Sequence, residues 1–335
     1  MRRNPFLGKG SAALAAAAGV LLFLPFAGLD RYLLDVMTTG FLLSVFTGSW
    51  DVAGGVAGQI SLGHALFFGT ATYACAILTT LLGWPFPVAA AAAVLLSSAA
   101  GTAVGLLCAP LKGPFVAVLT LALGEAAHEA ALLGHFTSGG ARYTWGGEGG
   151  LPVTLPWEAA SPLESYYAAL LFLFVAVSAM LLLRRSREGL ILRAVDGSEL
   201  TARASGVDAA KHKRRAFAIS AGLAGAAGAA YAAHLGRAAA ADFSVELSFQ
   251  AAALATLGGR GTVIGPVAAT LLLHALFQGL AIPPGVRILC YALTLLLFLR
   301  FFPGGFAGAA EAFRERRGWP SARKRRTDGA RGAGP

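Results

Sequence analysis

Glu125, His128 and Glu129 stand at i, i+3 and i+4 inside an apolar run, so a helix through them carries all three on one face. Ionisable groups at membrane depth are costly and turn toward a bundle interior or a water-filled cavity. Glu125 falls near the middle of its run and is a pathway-lining or bundle-supporting candidate; Glu129 approaches the run's outer end. The three together are also what a proton-driven carrier would need. His274 and Gln278, again one turn apart, repeat the arrangement more weakly. A second group, Gln59, Ser61 and His64, sits among glycines in Ala57-Gly-Gln-Ile-Ser-Leu-Gly-His-Ala-Leu-Phe-Phe-Gly69, where another apolar run begins. Two readings stand for it. One is a capped helix start at the inner surface; the other is irregular backbone forming a pathway or gate, tolerated in a bilayer only where protein or a cavity surrounds it.

Other chemistries lack their residues. No GxxxxGK[ST] occurs, so the chain does not cradle ATP phosphates in that way, and neither HExxH nor GxSxG is present. Nothing resembles an enzyme active site, and no cofactor or metal site is expected. Cys75, Cys108 and Cys290 fall singly within apolar runs, without ligand or disulfide spacing.

The elements that must position these residues are membrane spans. Of 335 residues 56% are hydrophobic and 13% charged, about half the charged fraction of a soluble domain. Apolar runs of roughly 18 residues or more, the length that crosses a bilayer, recur along the chain. They predict an all-α polytopic membrane protein of about ten helices, at 11–29, 32–49, 61–82, 87–108, 114–134, 166–183, 216–235, 247–257, 262–281 and 286–302. The eighth is short enough to be a half-helix or re-entrant segment, leaving eight or nine full spans. The run at 11–29 is read as a retained first span rather than a signal peptide, because it is long and lacks a cleavage pattern.

Charge placement sets the orientation. With both termini inside, Arg2, Arg3, Lys9, Lys112, the basic residues of 184–215, Arg260 and the basic tail all fall on one side. Only Arg31, Arg142, Arg237 and Arg287 fall on the other, a strong positive-inside bias that explains the net charge of +10 without nucleic acid. Residues 1–310 form one transmembrane domain, with an external loop at 135–165 that Trp145 and Trp157 can anchor at the interface, and an internal loop at 184–215. In that loop Ser198 caps a short helix through Glu199 and Ala202 toward Ser205, ended by Gly206. Residues 311–335 read as a basic, disordered cytoplasmic tail able to touch anionic lipid. Small-residue spacings (Gly54–Gly58, Gly101–Gly105, Gly222–Gly225–Gly228, Gly261–Gly265) predict close helix approach.

Four stretches give the chain its resemblance to a family: Gly58-Gln-Ile-Ser-Leu-Gly-His64; Gly113-Pro-Phe-Val-Ala-Val-Leu-Thr-Leu-Ala-Leu-Gly-Glu125; Arg193-Ala-Val on through Gly206-Val to Ala216-Phe-Ala-Ile-Ser220 and Ala224-Gly-Ala-Ala-Gly-Ala-Ala-Tyr231; and Leu257-Gly-Gly-Arg-Gly-Thr-Val-Ile-Gly-Pro266. With Phe302-Pro-Gly-Gly305 they resemble, in order and spacing, the permease subunits of ABC importers for branched-chain amino acids, LivM type. The resemblance implies a bacterial inner-membrane permease working with a second homologous permease subunit, two cytoplasmic ABC ATPases that bind the ATP, and a periplasmic or extracellular substrate-binding protein. It makes the 184–215 loop the ATPase-coupling segment, with Arg193, Glu199, Ala202 and Gly206 as its candidate residues. Urea, short amides and aromatic acids are alternative substrates of similar permeases. The chain departs from the family where His128 replaces a frequent Arg, Arg260 a usually apolar residue, and Asp196-Gly-Ser a more charged run.

Overall fold

The computed structural model describes residues 19–28, 30–111, 113–133, 135–138, 141–144, 150–153 and 161–279, with 286, 289 and 293. The greater part of the predicted first and last spans, the tail at 311–335, and the loop tryptophans lie outside the described residues. Ten α-helices are described in full: α1 (Arg31–Asp51), α2 (Ala65–Thr80), α3 (Phe86–Cys108), α4 (Pro114–Leu133), α5 (Pro162–Arg185), α6 (Arg187–Gly197), α7 (Glu199–Ala204), α8 (Ala209–Leu235), α9 (Val245–Gly258) and α10 (Ile264–Gly279). Five of the helical stretches are long and apolar enough to cross a membrane: Arg31–Val56, Phe86–Cys108, Pro114–Leu133, Pro162–Arg185 and Ala209–Leu235. Shorter apolar helices at Ala65–Thr80 and Ile264–Gln278 accompany them.

Helix ends follow local chemistry. Ser161, Pro162 and Glu164 start α5 with a capping box, Asp208 caps α8 through the Lys211 N–H, and Ser244 caps α9 through the Leu247 N–H. Each such cap stabilises its helix by about 1 kcal/mol. Gly236, in the left-handed region, ends α8. At 14 residues, α9 rises roughly 21 Å, short of the roughly 30 Å hydrocarbon layer. The external-loop region is not wholly irregular: β1 (His135–Ser138) pairs antiparallel with β2 (Ala141–Thr144), and β3 (Leu151–Pro152) with β4 (Arg237–Ala238).

Small residues set the packing at the centre. α8 lies against α3 and α2, where a Cβ on Gly101 would stand 2.3 Å from Ala221 Cβ, and one on Gly228 2.4 Å from the Phe68 carbonyl oxygen. Ser97 reinforces the seam, donating to the carbonyls of Phe67 (2.9 Å) and Ala221 (2.7 Å). Such interhelical bonds contribute about 0.6 kcal/mol each in a membrane. The main core joins α1, α2, α5 and α8 through Phe41, Trp50, Phe68, Tyr166 and Phe217.

Candidate functional site

The polar contacts concentrate where α1 ends. The helix does not stop at Ser49 but runs to Asp51 and then loosens into a π turn, Val52–Val56. There the Ala57 N–H reaches the Val52 carbonyl (3.3 Å) and the Gln59 N–H the Ala53 carbonyl (2.8 Å). Residues 57–64 then fold back into the bundle as non-helical chain before α2. Every stage of that return is held by another element. Trp50 Nε1 donates to the Ser61 carbonyl (2.6 Å), the Leu62 N–H to Thr120 Oγ1 (3.1 Å), and the Ala65 N–H to Ser248 Oγ (2.8 Å). At Gly63 the backbone lies directly on α4, since an added Cβ would fall 1.8 Å from the Thr120 carbonyl oxygen.

His64 is wholly buried between the rings of Phe46 and Phe67. Its Nε2 lies 3.0 Å from Ser49 Oγ. Ser49 Oγ already donates to the Phe46 carbonyl, and Ser220 Oγ to the Ser49 carbonyl, both at 2.6 Å. With the Ser49 proton committed, His64 must supply the hydrogen, so its Nε2 carries the proton of this contact. Among the described residues, its Nδ1 has no hydrogen-bond partner, nor have Gln59 Oε1 and Ser61 Oγ. His64 occupies the cap position of α2 without a side-chain cap of its own, and the first helical N–H, of Ala65, is met instead by Ser248 Oγ.

Asp51, which sequence reasoning missed, organises this end of the bundle. Its buried carboxylate accepts from the N–H groups of Gly261 (2.6 Å) and Val263 (3.0 Å) in the loop between α9 and α10. Arg260 of that loop returns the contact, its Nη2 donating to the Gly54 carbonyl (2.6 Å). The Arg184 guanidinium reaches the Thr262 carbonyl at 3.4 Å. A carboxylate, two guanidiniums and four backbone groups thus form a reciprocal clasp between the π turn and the Gly-rich loop. The signal was a lone acid at the end of an apolar run, facing a Gly-Gly-Arg-Gly sequence more than 200 residues away.

Glu125 does not join this interior. α4 buries Val116, Thr120, Gly124 and Ala131, and leaves Phe115, Val118, Glu125 and Glu129 outward. Of the three ionisable residues on α4, His128 turns inward, with Nδ1 2.9 Å from the Ala240 carbonyl of a short 3-10 turn.

The 184–215 loop holds two helices, α6 and α7, where only the second was expected. Ser198 caps α7 through the Thr201 N–H (3.3 Å), and Gly206, with φ +82°, follows its end. Glu199 ties α7 to α8 through Lys213 Nζ (2.9 Å) and pairs with Arg203 (2.5 Å). Glu188 joins α6 to α8 through His212 (2.7 Å) and Arg215. Burial pushes the Glu188 carboxyl up, but the hydrogen bonds and charges of His212 and Arg215 outweigh it and hold the group below its ordinary 4.5. Arg193 is engaged on the carbonyls of Gly189 (3.1 Å) and Arg184 (3.2 Å). Ala202 is buried beside Val195 and Ala209, so it shapes the unit from within. Leu200 on α7 is an apolar side chain left 76% exposed. α6 also meets the π turn: Leu192 is buried with Val56 and Ala57, and Asp196 Oδ1 stands 1.9 Å from where a Gly58 Cβ would lie.

Glu125 and the Gln59–His64 group therefore occupy different places, an outer face and a buried return. Arg193, Glu199, Ala202 and Gly206 lie together in one compact polar unit. The model of a protein family described as "Branched-chain amino acid transport system / permease component" matches residues 32–299. No curated protein and no solved structure matches the chain. The chain belongs to that family of ABC-type branched-chain amino acid transport permeases, which is a family of transport components and not of enzymes.

Proposed function

We propose, from that membership, that this chain is one permease subunit of an importer carrying branched-chain or related amino acids across a bacterial inner membrane. A second, homologous permease completes the pathway, two ATPase subunits dock on α6 and α7 from the cytoplasm, and a binding protein delivers substrate on the opposite side. The carrying observation is Leu200. It projects from a short helix whose other face is fixed by the Glu199–Lys213 pair and by buried Ala202. On a braced helix of the cytoplasmic loop, such a side chain is available to enter a partner's pocket. Gly206 supports the same role by closing the helix in a conformation that residues with a Cβ rarely adopt.

The outward face of α4 fits the second permease. An acidic group at the centre of a lipid-facing helix costs about 3 kcal/mol, a penalty that Glu125 avoids if that face meets another subunit along the pathway. Gln59, Ser61 and His64 then form the inner gate, buried in this arrangement.

Affinity purification of the tagged chain from its native membrane tests the reading. The wild type is expected to recover an ATPase, and Leu200→Glu to recover it roughly tenfold less, as for an interface anchor worth about 1.4 kcal/mol or more. Recovery of no ATPase by the wild type, or equal recovery by both, contradicts it.

A further inference from the structure

We propose that the π turn Val52–Val56 is a hinge that converts movement of α6 into movement of residues 57–64, with Asp51 as its positioning residue; this rests on the importer reading above. The turn lies between two bodies. On one side, Asp51 and Arg260 clasp it to the loop between α9 and α10. On the other, α6 is seated against it through Leu192 at Val56 and Ala57, and through Asp196 at Gly58. Gly58 has φ +68°, so the chain changes direction at the point that Asp196 touches.

The hydrogen bonding identifies the compliant part. An i→i+5 turn is a single-turn insertion in an α-helix, common at functional sites. It is followed here by a still wider bond from Gln59 to Ala53. Rewinding to α geometry turns the following chain by about 100° per residue taken up. The segment that would turn is also the one with unmet polar capacity. Gln59 Oε1, Ser61 Oγ and His64 Nδ1 are buried without partners among the described residues, although most buried polar atoms are satisfied. A second arrangement that satisfied them would make this a two-state element, biased by α6 from one side and held by Asp51 at the fixed end. A clasp alone would need neither the contact with α6 nor the unsatisfied atoms.

The test uses the assembled complex in liposomes, with Cys75, Cys108 and Cys290 replaced by Ala and Ile60→Cys as reporter. Ile60 is 39% exposed within the segment. Labelling by a water-soluble maleimide is followed with and without ATP plus vanadate. The parent is expected to change its labelling rate by roughly tenfold, as for a minor conformation made dominant. Asp51→Asn keeps the shape but loses the charge and one acceptor. It should abolish the change while ATP hydrolysis stays within about twofold. Leu192→Ala, which removes the buried contact with Val56 and Ala57 and leaves the exposed face of α6 intact, should do the same from the other side, and it decides the matter if Asp51→Asn does not insert. An undiminished change in either variant, or loss of labelling change and hydrolysis in equal proportion, overturns the hinge. A parent complex without an ATPase counts against the importer reading instead.

Discussion

The clasped end of the bundle and the open face of α4 carry similar residue types and treat them in opposite ways. At the clasped end Asp51, Arg184 and Arg260 are directed onto backbone groups of neighbouring elements, and α6 and α7 are braced by Glu188 and Glu199. On α4, Glu125 and Glu129 point away from the chain beside Phe115 and Val118. The difference separates charges that hold this fold from charges exposed on its outer face. In a bilayer the second kind is tolerated only beside protein or water.

Variants can break that contrast. The largest loss of stability is expected for Gly63→Leu, because the space beside Gly63 is already filled by the Thr120 carbonyl. Separating α4 from residues 57–64 should cost about 3 kcal/mol or more, read as a lower unfolding midpoint in detergent. Glu199→Ala comes next. It leaves the Lys213 ammonium, with a side chain only 4% exposed, without its carboxylate, and should cost about 2 kcal/mol, reduced by whatever snorkelling Lys213 achieves. Hydrogen exchange over 198–213 should rise accordingly.

A pH step sharpens the same contrast more gently. The folded Glu188 carboxyl titrates below its ordinary 4.5, so its stabilising contribution is complete above that value and is lost as the pH falls through the folded one. Protection of the α6 amides, relative to their intrinsic exchange rates, should fall at acid pH in the wild type and show less of that dependence in Glu188→Gln. On the α4 face, Glu125→Gln should leave the chain's own unfolding midpoint within about 0.5 kcal/mol of wild type. It should nevertheless lower uptake by the assembled transporter. A large stability loss from Glu125→Gln would erase the distinction between the two regions.

The two regions also differ in how much of them was legible in the sequence. Apolar runs marked most helices, the short run at 247–257 announced a short helix, and Ser198 with Gly206 bracketed α7, because caps and hydropathy are local signals. α6 escaped since Arg187–Gly197 is polar enough to read as loop; its apolar contacts, Leu192 and Val195, take meaning only from Val56, Ala202 and the helices around them. The Asp51 clasp left no periodicity, because a side chain binding the backbone N–H groups of a distant loop requires no matching side chain there. Glu125 was visible as an ionisable residue within a span, but the direction it faces depends on how α4 is rotated, which Thr120 and Gly124 decide by packing on residues 62 and 63.

Uptake by purified complexes tests the central claim most directly. Liposomes containing this chain, its partner permease and the ATPases, with ATP sealed inside and the binding protein outside, should accumulate leucine with or without a protonophore. Liposomes holding this chain alone should accumulate none. Uptake by the chain alone that collapses with the protonophore would contradict the account and return Glu125, His128 and Glu129 to a proton pathway.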